Sequence, residues 1–129
     1  MASQMSTYLQ NAVINATLRA TSYTSPTTVY VGLFTTTVTA GGSGTEVSGG
    51  SYARTAVTIG APSSGASTNS ANVVFPTATA SWGTVGWIGI NDAATSGNLL
   101  YHTALDTSKA IDSGDIFKIA SGNLSVTLA

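Results

Sequence analysis

Cysteine is missing from this chain, which removes disulfides, thiolate zinc sites and cysteine nucleophiles together. Charge is nearly missing as well. Only 7% of the 129 residues are charged, against roughly 25% in an ordinary soluble domain. The four basic residues, Arg19, Arg54, Lys109 and Lys118, leave no electrostatic footprint for a phosphate backbone, so nucleic acid is not an expected partner. No apolar run is long enough to span a membrane. The first residues lack a basic leader and are interrupted by Gln4, Gln10, Asn11 and Asn15, so neither a signal peptide nor a membrane anchor is expected and synthesis is expected in the cytoplasm.

What fills the chain instead is neutral. Hydrophobic residues make up 43%, and 17 Ser and 21 Thr supply hydroxyls where charge would otherwise solvate the surface. Threonine also suits a pleated, half-buried surface, so the composition points to strands. Because charged groups are depleted at the cores of interfaces, this scarcity of charge further predicts association with other subunits. The length fits one domain, residues 1–129.

Met5, Tyr8, Leu9, Ala12, Val13 and Ala16 recur at helical spacing and predict one helix over residues 5–19, with Thr7 and Gln10 as a capping box. The remainder, residues 27–128, reads as β-sandwich. Segments 27–34, 51–59, 71–75, 81–90, 98–105, 115–120 and 123–128 are β-branched or aromatic and bounded by turn formers. Stretches 41–50 and 60–70 read as Gly/Ser-rich loops. The expected fold is a mainly β, single-domain antiparallel sandwich, jelly-roll-like, with one N-terminal α-helix. In strand 81–90, Trp82, Ile88 and Ile90 share one parity and Val85 and Trp87 the other. Unless a glycine bulge intervenes, both faces carry large apolar groups and both need covering.

The chemistry-bearing residues are few. His102 is the sole histidine, and no sequence pattern supplies it with a nucleophile and an orienting acid, so no catalytic residue is expected. Asp112 and Asp115 flank Ser113-Gly114 and read as a turn, since a calcium loop needs more ligands. Residues 92–98 read as a hairpin loop. No metal or cofactor is expected. Glu46 and Arg54 are rare charges close in sequence, able to pair within the chain or across a subunit boundary. Trp82 and Trp87 read as core or interface anchors in preference to sugar platforms. Glu46, Arg54, Trp82 and Trp87 are therefore the candidate interface residues.

YVGLFT (Tyr30 to Thr35), GTEVSGGSYARTAVT (Gly44 to Thr58) and VVFPTATASWGTVGWIGINDAATSGNLLY (Val73 to Tyr101) resemble a family of short tailed-bacteriophage virion proteins. The resemblance implies a structural virion protein made in the host bacterial cytoplasm. Two roles are open. One is a capsid decoration, or cement, protein that binds the major capsid protein as a homotrimer. The alternative is a tail fibre, baseplate or minor tail protein, with a host receptor as partner. The absence of an internal repeat, which an elongated shaft would show, favours decoration.

Overall fold

The computed structural model describes residues 2–128. Its elements are β1 (Ala2–Met5), α1 (Thr7–Leu18), β2 (Val29–Phe34), β3 (Thr55–Val57), β4 (Ala66–Thr68), β5 (Val73–Val74), β6 (Gly83–Asn91), β7 (Leu99–Ile111), β8 (Lys118–Ile119) and β9 (Ser125–Thr127). Seven strands form one sheet in the order β3-β2-β6-β7-β1-β9-β4, and β5 and β8 form a second. The fold is mainly β with one helix, as the composition predicts. The division is more lopsided than a jelly roll, which shares eight strands between its sheets.

The long sheet curls back on itself. Just beyond β3, Gly60 N–H donates to Thr68 O and Ser70 N–H donates to Thr58 O, both at 2.9 Å, so the two edges of the sheet meet there and are paired over a short stretch. Inside the curl lies one core of Val31, Leu33, Val57, Val85, Ile88, Ile90, Ile111 and Leu124, closed by Val73, Phe75, Phe117 and Ile119 from the second sheet and its flanks. Asn69 ties the layers together although it is only 1% exposed. Its Nδ2 donates to Ala71 O and Ala120 O, and its Oδ1 accepts from Leu124 N–H. A fully satisfied buried amide of this kind fixes register as well as stability.

Three departures from the sequence reading have physical causes. Ala2–Met5 is a strand in the middle of the sheet, antiparallel to β7 and parallel to β9, although its residues have little β preference. The pairing partners on both sides decide its conformation. The cap of α1 is consequently Ser6, one residue earlier than expected: its Oγ accepts from Leu9 N–H at 3.2 Å and donates to Leu99 O at 2.5 Å. Within 60–70, which reads as loop, Ala66–Thr68 pairs with β9.

The third departure bears on assembly. A register shift between Val85 and Trp87, at Gly86, turns Val85 to the same side as Ile88 and Ile90, where it is fully buried. Trp82 precedes the strand and also enters the core. Trp87 alone stays on the other face, half-buried. The two-faced apolar strand suggested by simple alternation is thus relieved by one bulge. Helix α1 buries only Leu9 and leaves Tyr8, Val13, Ile14 and Leu18 exposed, Leu18 to 79%. Among the described residues no helix is long and apolar enough to cross a membrane.

Candidate functional site: an arginine clamp beside a polar cleft

Glu46 and Arg54 pair within the chain. Arg54 Nε and Nη2 donate to Glu46 Oε2 and Oε1 at 2.8 and 2.9 Å, the parallel geometry that a guanidinium fork favours. Arg54 Nη1 donates to Ala93 O at 3.0 Å and Ser96 O at 2.8 Å. One side chain therefore holds the glycine loop through Glu46 and the β6–β7 hairpin loop through its backbone. That hairpin loop is also tied to itself. Asp92 Oδ1 and Oδ2 accept from Asn98 N–H and Nδ2, and Gly97 takes a φ of +73°, where a side chain would also collide with Asp92.

The clamp continues into the core. Tyr52 donates its hydroxyl proton to Glu46 Oε2 at 2.6 Å while accepting from Leu33 N–H at 2.9 Å. Its ring meets Trp82 edge to face at 5.3 Å, and Trp82 Nε1 donates to Gly50 O at 2.9 Å. Burial pushes the Glu46 carboxyl up, but hydrogen bonds from Arg54 and Tyr52, with the Arg54 charge, outweigh it and hold the pKa below its ordinary value. Burial and the bond to Glu46 raise Tyr52, and Glu46 raises Arg54, so all three keep their neutral-pH states.

Gly32 lies beneath this cluster for a steric reason. A Cβ there would sit 2.9 Å from Glu46 Oε2 and 3.3 Å from both Asn91 Nδ2 and the Tyr52 hydroxyl. Gly32→Ala is expected to cost about 1–3 kcal/mol by overpacking. The loss should be smaller in an Arg54→Ala background, where the carboxylate is free to move aside, and a double-mutant cycle of thermal melts measures this.

Beside the clamp opens a cleft of about 640 Å³. Ser6, Thr7, Tyr8 and Asn11 of the helix start form one wall, Ala40, Gly41, Gly42 and Gly44 a second, and Ser96 to Leu99 a third. Phe34, Glu46, Arg54 and Asn91 lie at its base.

His102 takes no part in the cleft. It is 9% exposed, and its Nε2 has no hydrogen-bond partner among the described residues. Burial lowers its pKa, and an interaction with the Val38 backbone offsets this in part. The unfolded chain therefore binds a proton that the folded chain resists, and stability should fall as pH drops below about 6.5, the ordinary histidine value. Glu46, whose folded pKa is depressed, should add a second loss as pH falls below the ordinary carboxylate value of about 4.3. Melting temperature against pH should show both limbs, with His102→Leu removing the upper and Glu46→Gln the lower.

Asp112 and Asp115 form the expected turn: Asp115 N–H donates to Asp112 O, and Asp115 Oδ2 accepts from Asp112 N–H. Among the described residues no three potential ligands gather for a metal. Of the four candidate interface residues, the structure joins Glu46, Arg54 and, through Tyr52, Trp82. Trp87 stands apart from them: it pairs with Phe34 on the outer face of the sheet, the face that also carries Gly32 and Asn91, but it does not line the cleft. Trp82 is only 4% exposed, so its indole contacts the chain's own core. Asn91 and Asn69 went unmarked in the sequence because a lone Asn beside a turn carries no pattern of its own.

The chain is thus small and mainly β, with one partly buried ion pair that holds two loops and an open cleft that carries no net charge. A family model described as Podophage GP4 fiber I protein gp80 matches residues 4–127, and the chain belongs to that family. It is accordingly a structural protein of a tailed-bacteriophage virion. No curated protein matches it.

Proposed function

We propose that this chain is a fibre-type component of the phage tail that acts by binding and not by catalysis. The observation that carries the reading is the match to a family described as a fibre protein over residues 4–127. That description favours the tail over the capsid-decoration role, which rested on the lack of a repeat. The clamp geometry supports the binding part: Arg54 braces two loops around one cleft through bonds to Glu46, Ala93 O and Ser96 O. A non-catalytic role is supported by His102, which is buried and activates no nucleophile.

Partners on this reading are other copies of the chain and neighbouring tail proteins, with a host surface at the far end. The uncharged helix residues Val13, Ile14 and Leu18 are the surface offered for self-association, since they are exposed and α1 contains no charged residue to desolvate. A homotrimer fits the cyclic symmetry common among homo-oligomers. Quantitative mass spectrometry of purified particles tests the location. A tail component should be present at a few dozen copies or fewer, whereas shell decoration requires on the order of hundreds by lattice symmetry. Hundreds of copies would overturn the fibre reading.

A further inference from the structure

We infer that the cleft beside the Arg54 clamp is a binding site for a neutral sugar ring. Asn91, at the base of the cleft, is 3% exposed, yet its carboxamide makes one hydrogen bond among the described residues, Nδ2 to Gly89 O at a long 3.4 Å. Whichever way the amide is turned, one of its polar atoms has no protein partner. That atom is not fully enclosed, since among the described residues it is His102 Nε2 that is buried without a partner, so it reaches the solvent of the cleft, and an accessible amide with unused donor and acceptor capacity is suited to a ligand that supplies both.

The rest of the lining narrows the ligand class. Glu46 and Arg54 are the charges in the cleft, and they neutralise each other through two short bonds, so no net field remains to attract an ion. Asn11 lines the wall from the helix, and its exposed carboxamide offers both a donor and an acceptor. Tyr8, 43% exposed on the same wall, offers a ring face for the C–H side of a pyranose. Gly41, Gly42 and Gly44 leave the opposite lip without side chains, so the backbone can approach a bulky polyol closely. Neutral amides, a phenol ring and bare backbone match paired hydroxyls on an uncharged ring. They match neither a phosphate, which needs cations, nor a lipid, which needs an apolar wall.

The inference rests on the fibre reading only for what presents the sugar, which would then be a host surface polysaccharide. The two fail separately, because copy number decides that reading and a sugar titration decides this one. Isotope-labelled full-length protein should be titrated with glucose, galactose, mannose, rhamnose and N-acetylglucosamine at millimolar concentrations, following the side-chain amide signals of Asn91 and Asn11. At least one sugar should give saturable shifts at both residues, with a Kd on the order of 1 mM for a single ring in an open site. Asn91→Leu should weaken binding at least tenfold. Because Asn91 is buried, Asn11→Ala and Tyr8→Ala on the exposed helix serve as a second pair and should each weaken binding severalfold without altering the melt. Trp87→Ala, outside the cleft, should bind as wild type. Failure of all five sugars to shift Asn91 and Asn11, or loss of binding in Trp87→Ala with retention in Asn11→Ala and Tyr8→Ala, would overturn the assignment.

Discussion

Trp82→Ala is expected to be the most damaging single truncation, costing about 3–5 kcal/mol, while Trp87→Ala in the same stretch costs under about 1 kcal/mol. The two indoles are five residues apart and look equivalent as anchors. Trp82, however, is 4% exposed, meets Tyr52 edge to face at 5.3 Å and donates to Gly50 O. Truncating it leaves a cavity and a loosened Tyr52, whose hydroxyl steadies Glu46, and Gly50 O keeps only its bond from Thr79 N–H. Trp87 lies half-buried on the other face and leaves the core intact when removed. For a chain of this length the Trp82 loss corresponds to a fall in melting temperature of roughly 10–20 °C. Differential scanning calorimetry of both variants checks it, and equal destabilisation would contradict the placement of the two rings. If Trp87 instead anchors a neighbouring subunit, its truncation should lower the oligomer's association constant without moving the melt of the isolated chain.

Arg54→Ala is expected to cost about 2–4 kcal/mol, somewhat under the range for breaking a fully buried pair, because Glu46 retains some contact with water. The loss has two parts. Glu46 is left with its charge partly desolvated and one remaining donor, Tyr52. The hairpin carbonyls of Ala93 and Ser96 lose their common donor, so residues 92–98 and the glycine loop are no longer held to one another. Hydrogen exchange should therefore rise in both loops while the strands of the core stay protected. Converting the partner as well, in Glu46→Gln/Arg54→Met, should recover part of the stability by removing the stranded charge, but it should not restore protection of the hairpin loop. Lysine is a poor substitute here, since one ammonium cannot serve two carboxylate oxygens and two carbonyls in this fan of directions. Uniform deprotection of the whole chain in Arg54→Ala would mean that the clamp holds the fold and not the loops.

Much of the β architecture was legible because its signals are local. VYVGLF, with its β-branched and aromatic residues, becomes β2 at Val29–Phe34. The Asp92 to Asn98 turn formers join β6 to β7, and Asp112 to Asp115 make a turn with their own backbone. The amphipathic spacing at the start does form a helix, Thr7–Leu18. Each depends on side-chain preferences within a few residues, which the chain carries whatever it packs against.

The site itself was only half legible. Two rare charges at positions 46 and 54 mark themselves by scarcity, but their partnership within the chain depends on β2 and β3 lying side by side and on the hairpin folding over them. Asn91 and Asn69 are ordinary residues in the sequence, made special by what surrounds them.

By itself, then, the sequence determined a neutral, strand-forming chain with one short helix and no means of holding phosphate through charge, because composition and short-range periodicity are properties of the residues alone. Tertiary structure decided the rest. It drew Ala2–Met5 into the centre of the sheet, turned Val85 inward at a bulge, spent Trp82 on the core, and closed Arg54 on Glu46. In each case the deciding contacts are made between elements that only the fold brings together, and a backbone pairing or a buried bond exists only once both partners are in place.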